Sequence, residues 1–141
     1  MRLLRLAVVL VATICTAVPA SAAALVAHID LSTQRMTVKV NGKAQYTWAV
    51  STARPGYRTP TGSFSPKRLE KVWYSRKYDN APMPNSIFFL GGYAIHGTNA
   101  VGKLGRPVSH GCVRLAPGNA AKLFSMVKKY GSGSTRIVVT R

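Results

Sequence analysis

Three residues of this chain could carry covalent chemistry together: His96, His110 and Cys112. Cys112 lies in Ser109-His110-Gly111-Cys112-Val113-Arg114-Leu115, and His96 opens a His-Gly-Thr stretch 16 residues upstream. A free thiol ionises at about 8.5, so only a few per cent is thiolate at neutral pH, and a base or positive charge nearby raises its nucleophilicity. The two histidines are the candidate bases, and Arg114 and the basic composition push the thiol the same way. If residues 110–114 are extended, His110, Cys112 and Arg114 share a face. Their successive Cβ atoms then stand about 6–7 Å apart, too far for a direct sulfur–imidazole hydrogen bond. The partner is therefore expected from another segment, and His96 is the natural choice, with Gly97 and Thr98 letting the backbone pass close. Gly111 removes the side chain before the thiol, so the N–H groups of Gly111 and Cys112 are a candidate oxyanion hole.

Two plainer readings compete. A buried cysteine is often an inert small hydrophobe. A zinc site from His96, His110 and Cys112 has acceptable ligand types, but the spacing matches no metal motif. The cysteine count favours chemistry. The other of the two cysteines, Cys15, sits inside an apolar run at the N-terminus. Arg2 and Arg5 precede that run, and Pro19-Ala20-Ser21-Ala22 follows it with small residues in A-x-A positions. The pattern is that of a secretory signal peptide over residues 1–22. The run, Leu6 to Val18, is short of the ~20 residues of a spanning helix, so no stable membrane anchor is expected after cleavage. Cys112 would then be an exported thiol with no partner for an intramolecular disulfide.

Residues 23–141 are enough for one domain with a single core. With Arg2 and Arg5 gone, 18 Lys and Arg face three acids, Asp30, Glu70 and Asp79, a formal charge of +15. Such a balance attracts polyanions. The charges are scattered singly, which fits a basic surface in an acidic envelope as well as a dedicated patch.

The elements that must position the thiol read mainly as β-structure. Met36, Val38 and Val40 alternate with polar residues, Asn41-Gly42 marks a hairpin, and Tyr46, Trp48 and Val50 return. Arg54-Pro55-Gly56 and Thr59-Pro60-Thr61-Gly62 are turns. Residues 70–85 are expected to be an irregular, aromatic-rich loop whose Trp73, Tyr74 and Tyr78 either pack on the sandwich or form a flap beside the cleft. Ser86 to Leu90, Tyr93 to His96, Val113 to Leu115 and Arg136 to Thr140 read as strands. One helix is expected over Ala120 to Tyr130, closed by Gly131. The sum predicts a sandwich or barrel with one helix after the cysteine segment.

The His-Gly-Thr stretch and the Ser-His-Gly-Cys-Val-Arg-Leu segment together resemble the signature of the L,D-transpeptidase catalytic domain, the YkuD-like family. Thr59-Pro60-Thr61-Gly62 and Phe88 to Ile95 resemble it too, and the likeness covers roughly residues 24–141. It implies a β-sandwich-like catalytic domain acting on peptidoglycan stem peptides in the bacterial periplasm or cell wall. By that resemblance Cys112 is the nucleophile and His96 the proton carrier, with the Gly97 carbonyl orienting the imidazole. Ser109, His110, Gly111 and Arg114 support them. The thiol attacks the carbonyl of the third stem residue, D-Ala leaves, and an amine takes the acyl group to give a 3→3 cross-link. Water or a protein amine as acceptor would make the enzyme a carboxypeptidase or a protein-to-peptidoglycan ligase. No cofactor, metal or nucleic-acid partner is implied; anionic envelope polymers remain candidate partners, and a monomer is expected. Papain-like and NlpC/P60-like peptidases place cysteine before histidine, and sortases precede it with Thr-Leu-x-Thr, which Val108 to Gly111 does not match. A cationic envelope-binding protein without enzymatic activity would account for the charge but not for the two segments.

Overall fold

The computed structural model describes residues 22–141. The leader expected over residues 1–22 lies outside them except for Ala22. The strands are β1 (Leu25–Asp30), β2 (Arg35–Val40), β3 (Lys43–Ala49), β4 (Gly62–Phe64), β5 (Arg68–Glu70), β6 (Tyr74–Ser75), β7 (Ala81–Pro82), β8 (Ser86–Leu90), β9 (Tyr93–Gly97), β10 (Val113–Leu115) and β11 (Thr135–Thr140). A helix, α1 (Pro117–Tyr130), joins β10 to β11. Five strands form one sheet in the order β3-β2-β1-β11-β4, and four form a second, β10-β9-β8-β5.

Period-2 burial builds this arrangement. In β1, Leu25, Ala27 and Ile29 point into the core while the residues between them are half-buried. Met36 and Val38 of β2 and Ile137 and Val139 of β11 join them. The hairpin turn forms where expected: Asn41 (φ 49°) and Gly42 (φ 81°) both adopt the left-handed conformation that a two-residue type I′ turn requires. The second sheet closes the core from the other side with Ile87, Phe89, Ile95, Val113 and Leu115, and α1 adds Ala120, Leu123, Phe124 and Val127.

The run Ile87–Phe89 is apolar without alternation because β8 is buried on both faces there. Ile87 and Phe89 belong to the main core, while Phe88 faces a satellite cluster with Met83 and Ala94, against which Trp73 and Cys112 pack. The outer face of the second sheet is thus itself covered, and the chemistry-bearing residues lie there.

Two expectations change. The helix starts at Pro117, three residues before the expected Ala120, because proline at the first turn gives up no helical hydrogen bond and presets φ. Residues 70–85 are not irregular. They fold back as a hairpin of β6 on β7, extended by Met83 N–H to the Trp73 carbonyl (2.8 Å) and Asn85 N–H to that of Lys71 (2.9 Å). Asp79 (φ 51°) and Asn80 (φ 52°) make its turn, residues whose short polar side chains tolerate the left-handed region. No helix among the described residues is long and apolar enough to cross a membrane.

Candidate active site

The alternation that fills the core also decides which side chains face outward. β9 and β10 run parallel, with Val113 opposite Ile95 and Arg114 opposite His96. Val113, Leu115 and Ile95 point inward, so Arg114, His96 and Ala94 take the other face. Cys112, one residue before β10, packs against that face too. His96, Arg114 and Cys112 open into one cleft of about 1050 Å³, lined also by Tyr57, Trp73, Tyr78, Tyr93, Ser109 and His110.

His96 is buried, and its Nδ1 lies 2.7 Å from the carbonyl oxygen of Gly97. A carbonyl only accepts, so Nδ1 carries the proton and Nε2 keeps a free lone pair. Burial lowers the pKa of His96 from 6.5 to about 4; the Gly97 hydrogen bond opposes the shift and Arg114 adds to it. Cys112 is half-buried, its Sγ 3.7 Å from the Gly92 carbonyl. Burial raises the thiol pKa, outweighing the lowering by a backbone hydrogen bond with Ala94 and by Arg114. The positive field expected to activate the thiol therefore loses to desolvation, and the resting pair is a neutral thiol and a neutral imidazole.

These shifts carry a sign. Unfolded His96 takes up its proton near pH 6.5, folded His96 only near 4. The unfolded state binds more protons in that window, so stability is intact above pH 6.5 and falls as the pH drops through it. Urea unfolding should show a loss of about 2 kcal/mol from this group between pH 7.5 and 5. His96→Gln should remove that part of the slope, and an unchanged slope would contradict the lowered pKa. By the same reasoning the acid limb of any His96-dependent reaction lies near pH 4, not 6.5.

The loop before the thiol is pinned at three consecutive peptide groups. Gly111 N–H donates to Ser109 Oγ (3.0 Å), and Ser109 Oγ donates to the Cys112 carbonyl (2.7 Å). The carbonyl of Gly111, between them, accepts from Thr59 Oγ1 (2.8 Å). Gly111 N–H, expected to be free for an oxyanion, is thus already used. Ser109 is fully buried and tied to the segment after β3: its N–H reaches the Thr52 carbonyl and its carbonyl accepts from Arg54 N–H, each at 2.9 Å. Ser51 exchanges both backbone hydrogen bonds with Arg114, at 3.1 and 2.8 Å.

Residues 110–114 are not one extended strand, because Gly111 takes φ 135° and β10 begins only at Val113. His110 instead stands at the rim of the cleft. Tyr78 stacks on it at 4.1 Å and Tyr57 meets it edge-on at 4.9 Å. Desolvation, then Arg54, Arg114 and Lys77, lowers its pKa. The aromatic residues of the hairpin divide: Trp73 packs edge-on against Phe88 at 5.6 Å, Tyr74 is exposed, and Tyr78 reaches the cleft. Gly97 fits because a Cβ there would stand 3.2 Å from Pro84 and 3.3 Å from Ala120. No group of three metal-ligating side chains converges among the described residues.

The model of the YkuD L,D-transpeptidase catalytic domain matches residues 25–139. YkuD of Bacillus subtilis (strain 168), which carries the L,D-transpeptidase name, is 25% identical over 117 residues, 80% of this chain and 64% of that protein. The fold is similar to that of an L,D-transpeptidase from Mycobacterium smegmatis (TM-score 0.75, 26% identity, 84% of this chain and 59% of that one). It is also similar to the L,D-transpeptidase LdtMt1 in complex with imipenem (TM-score 0.73, 26% identity, 84% and 59%). A third similar structure, from Stackebrandtia nassauensis, has a TM-score of 0.74 at 26% identity over 92% of this chain and 60% of that one. The chain thus spans about three-fifths of the length of the proteins it matches. With the match running from the first strand to the last, the chain belongs to the YkuD family of L,D-transpeptidase catalytic domains.

Proposed function

We propose that this protein is a peptidoglycan L,D-transpeptidase in which Cys112 is the nucleophile and His96 the proton carrier. The observation that carries the reading is the shared outer face of β9 and β10. It puts Cys112 and a buried His96, with its Nε2 lone pair free, into one cleft large enough for a peptide.

Attack and proton transfer are coupled, because both groups rest neutral. As Sγ forms its bond to the third-residue carbonyl of a tetrapeptide stem, the thiol proton passes to Nε2. The carbonyl oxygen becomes an oxyanion, held by a backbone N–H. Collapse breaks the C–N bond, the imidazolium returns its proton to the departing D-Ala amine, and a thioester remains. An acceptor amine then loses a proton to Nε2, forms the new amide and releases the thiol. Ser109, Gly97 and Gly111 hold the loop and the imidazole. His110 and Tyr78 flank the entry. Arg114, Arg76 and Lys77 line the cleft with one acid, Asp79, a lining suited to a stem peptide rich in carboxylates. Export through the leader at residues 1–22 would bring the enzyme to its polymer, and the basic surface would hold it there.

The imipenem complex of LdtMt1 suggests a second substrate class, since a β-lactam ring opens on an attacking thiol. The test is mass spectrometry of a purified disaccharide-tetrapeptide incubated with the protein, followed by intact-protein mass after imipenem. Loss of D-Ala with a cross-linked dimer is expected, together with one imipenem adduct on Cys112. Tripeptide without dimer would show a carboxypeptidase. Neither product nor adduct from folded protein would overturn the reading and leave an envelope-binding role.

A further inference from the structure

We propose that Thr59 is a positioning residue that aims the oxyanion-binding N–H of Cys112. The inference rests on the acyl-transfer reading above. Thr59 is buried, and its hydroxyl bonds in both senses: Oγ1 accepts from Ala53 N–H (3.0 Å) and donates its one hydrogen to the Gly111 carbonyl (2.8 Å). That carbonyl and the Cys112 N–H are opposite edges of one planar peptide group, and no peptide among the described residues is cis. Fixing the oxygen therefore fixes the N–H, pointing the other way. The oxygen edge faces buried Thr59, which is not part of the cleft; the side chain of Cys112 opens into it.

Two further observations make this N–H the one that matters. The neighbouring Gly111 N–H is used by Ser109 Oγ, whereas among the described residues Cys112 N–H donates to no partner. A backbone donor without a partner in a half-buried position is suited to a ligand atom. Gly111 also has no Cβ to restrict it, so its ψ could turn the Gly111–Cys112 peptide away from the cleft. The Thr59 hydroxyl selects the orientation that keeps the donor facing the substrate. The turn proline Pro60 follows directly and fixes the chain behind Thr59.

The test separates thiol reactivity from oxyanion stabilisation. Alkylation of Cys112 by iodoacetamide needs the sulfur but no oxyanion donor; acylation by the tetrapeptide stem or by imipenem needs both. In Thr59→Val, which keeps the shape and removes the hydroxyl, the acylation rate constant should fall by about 100-fold, the scale of one lost oxyanion donor. The alkylation rate at the same pH should stay within about twofold of wild type, because Sγ and His96 are untouched. Thr59→Ser should restore acylation to within about fivefold. Thr59→Cys, with a weak S–H donor, should fall between and serves if the valine variant does not fold. Thr59→Val acylating like wild type, or alkylation and acylation falling by the same factor, would overturn the inference. A wild-type protein that alkylates but is never acylated would overturn the proposed function and this inference with it.

Discussion

Cys112→Ser is expected to lower tetrapeptide turnover at least about a thousandfold while leaving the melting temperature within a few degrees. The reason lies in the pair of pKa shifts. Burial holds His96 at about 4 and pushes the Cys112 thiol up. The base is therefore weak, and it can take a proton only from a group that gives it up as attack proceeds. A thiol does this. An alcohol, several pKa units less acidic, does not, and each unit costs about 1.4 kcal/mol. The structural cost is small, because serine is close to cysteine in shape and the site is only half-buried. Steady-state kinetics and a thermal melt check both halves. Turnover within tenfold of wild type would remove Cys112 from the nucleophile's place.

Gly111→Ala is expected to be as damaging by a different route. Gly111 adopts φ 135°, a backbone conformation that side-chain-bearing residues rarely take. A Cβ there would also lie 2.6 Å from the Tyr93 ring and 2.9 Å from the Arg58 carbonyl oxygen. The ring could shift but the backbone oxygen could not, so the loop must move, with its bonds to Ser109 and Thr59. A stability loss of about 3 kcal/mol follows, roughly 10–20 °C for a domain of this size. Acylation should fall at least about 100-fold even in the folded fraction. Calorimetry and a single-turnover acylation assay measure these separately. An alanine variant that melts and reacts like wild type would show that the loop has another conformation open to it.

The parts of this architecture that repeat were legible in the sequence. Alternation at Met36 to Val40 and the Asn41-Gly42 turn fixed a hairpin, because both signals are local. The helix at Leu123 to Val127 showed in its spacing, and only its proline start was misplaced. The His96 and Cys112 segments stood out because few reasons exist for a cysteine flanked by glycine and histidine with a second His-Gly pair upstream. The parts that depend on tertiary burial did not show. Nothing local says that Thr59 donates across 52 residues to Gly111, or that Gln34 (φ 53°) is buried and bonds Thr52 beneath Ser109. Each reads as an ordinary turn residue. The 70–85 hairpin was hidden because its paired strands are two residues long, too short for a period. Desolvation of Cys112 was invisible for a related reason: a count of positive charges is readable, but the walls that Trp73, Met83 and Phe88 build around a sulfur are not.

The parallel pairing of β1 with β11 bears on how the molecule carries load. Leu25 lies opposite Thr135 and Asp30 opposite Thr140, so the chain enters at one end of this six-residue ladder and leaves at the other. Tension applied through residues before Leu25 and after Thr140 slides the two strands past each other. The ladder is then loaded in shear, every hydrogen bond sharing the force, instead of opening one bond at a time like a zipper. Both strands lie inside the five-stranded sheet, with β2 and β4 on their outer sides. A domain pulled from both ends would be gripped along this ladder, while His96 sits on the other sheet.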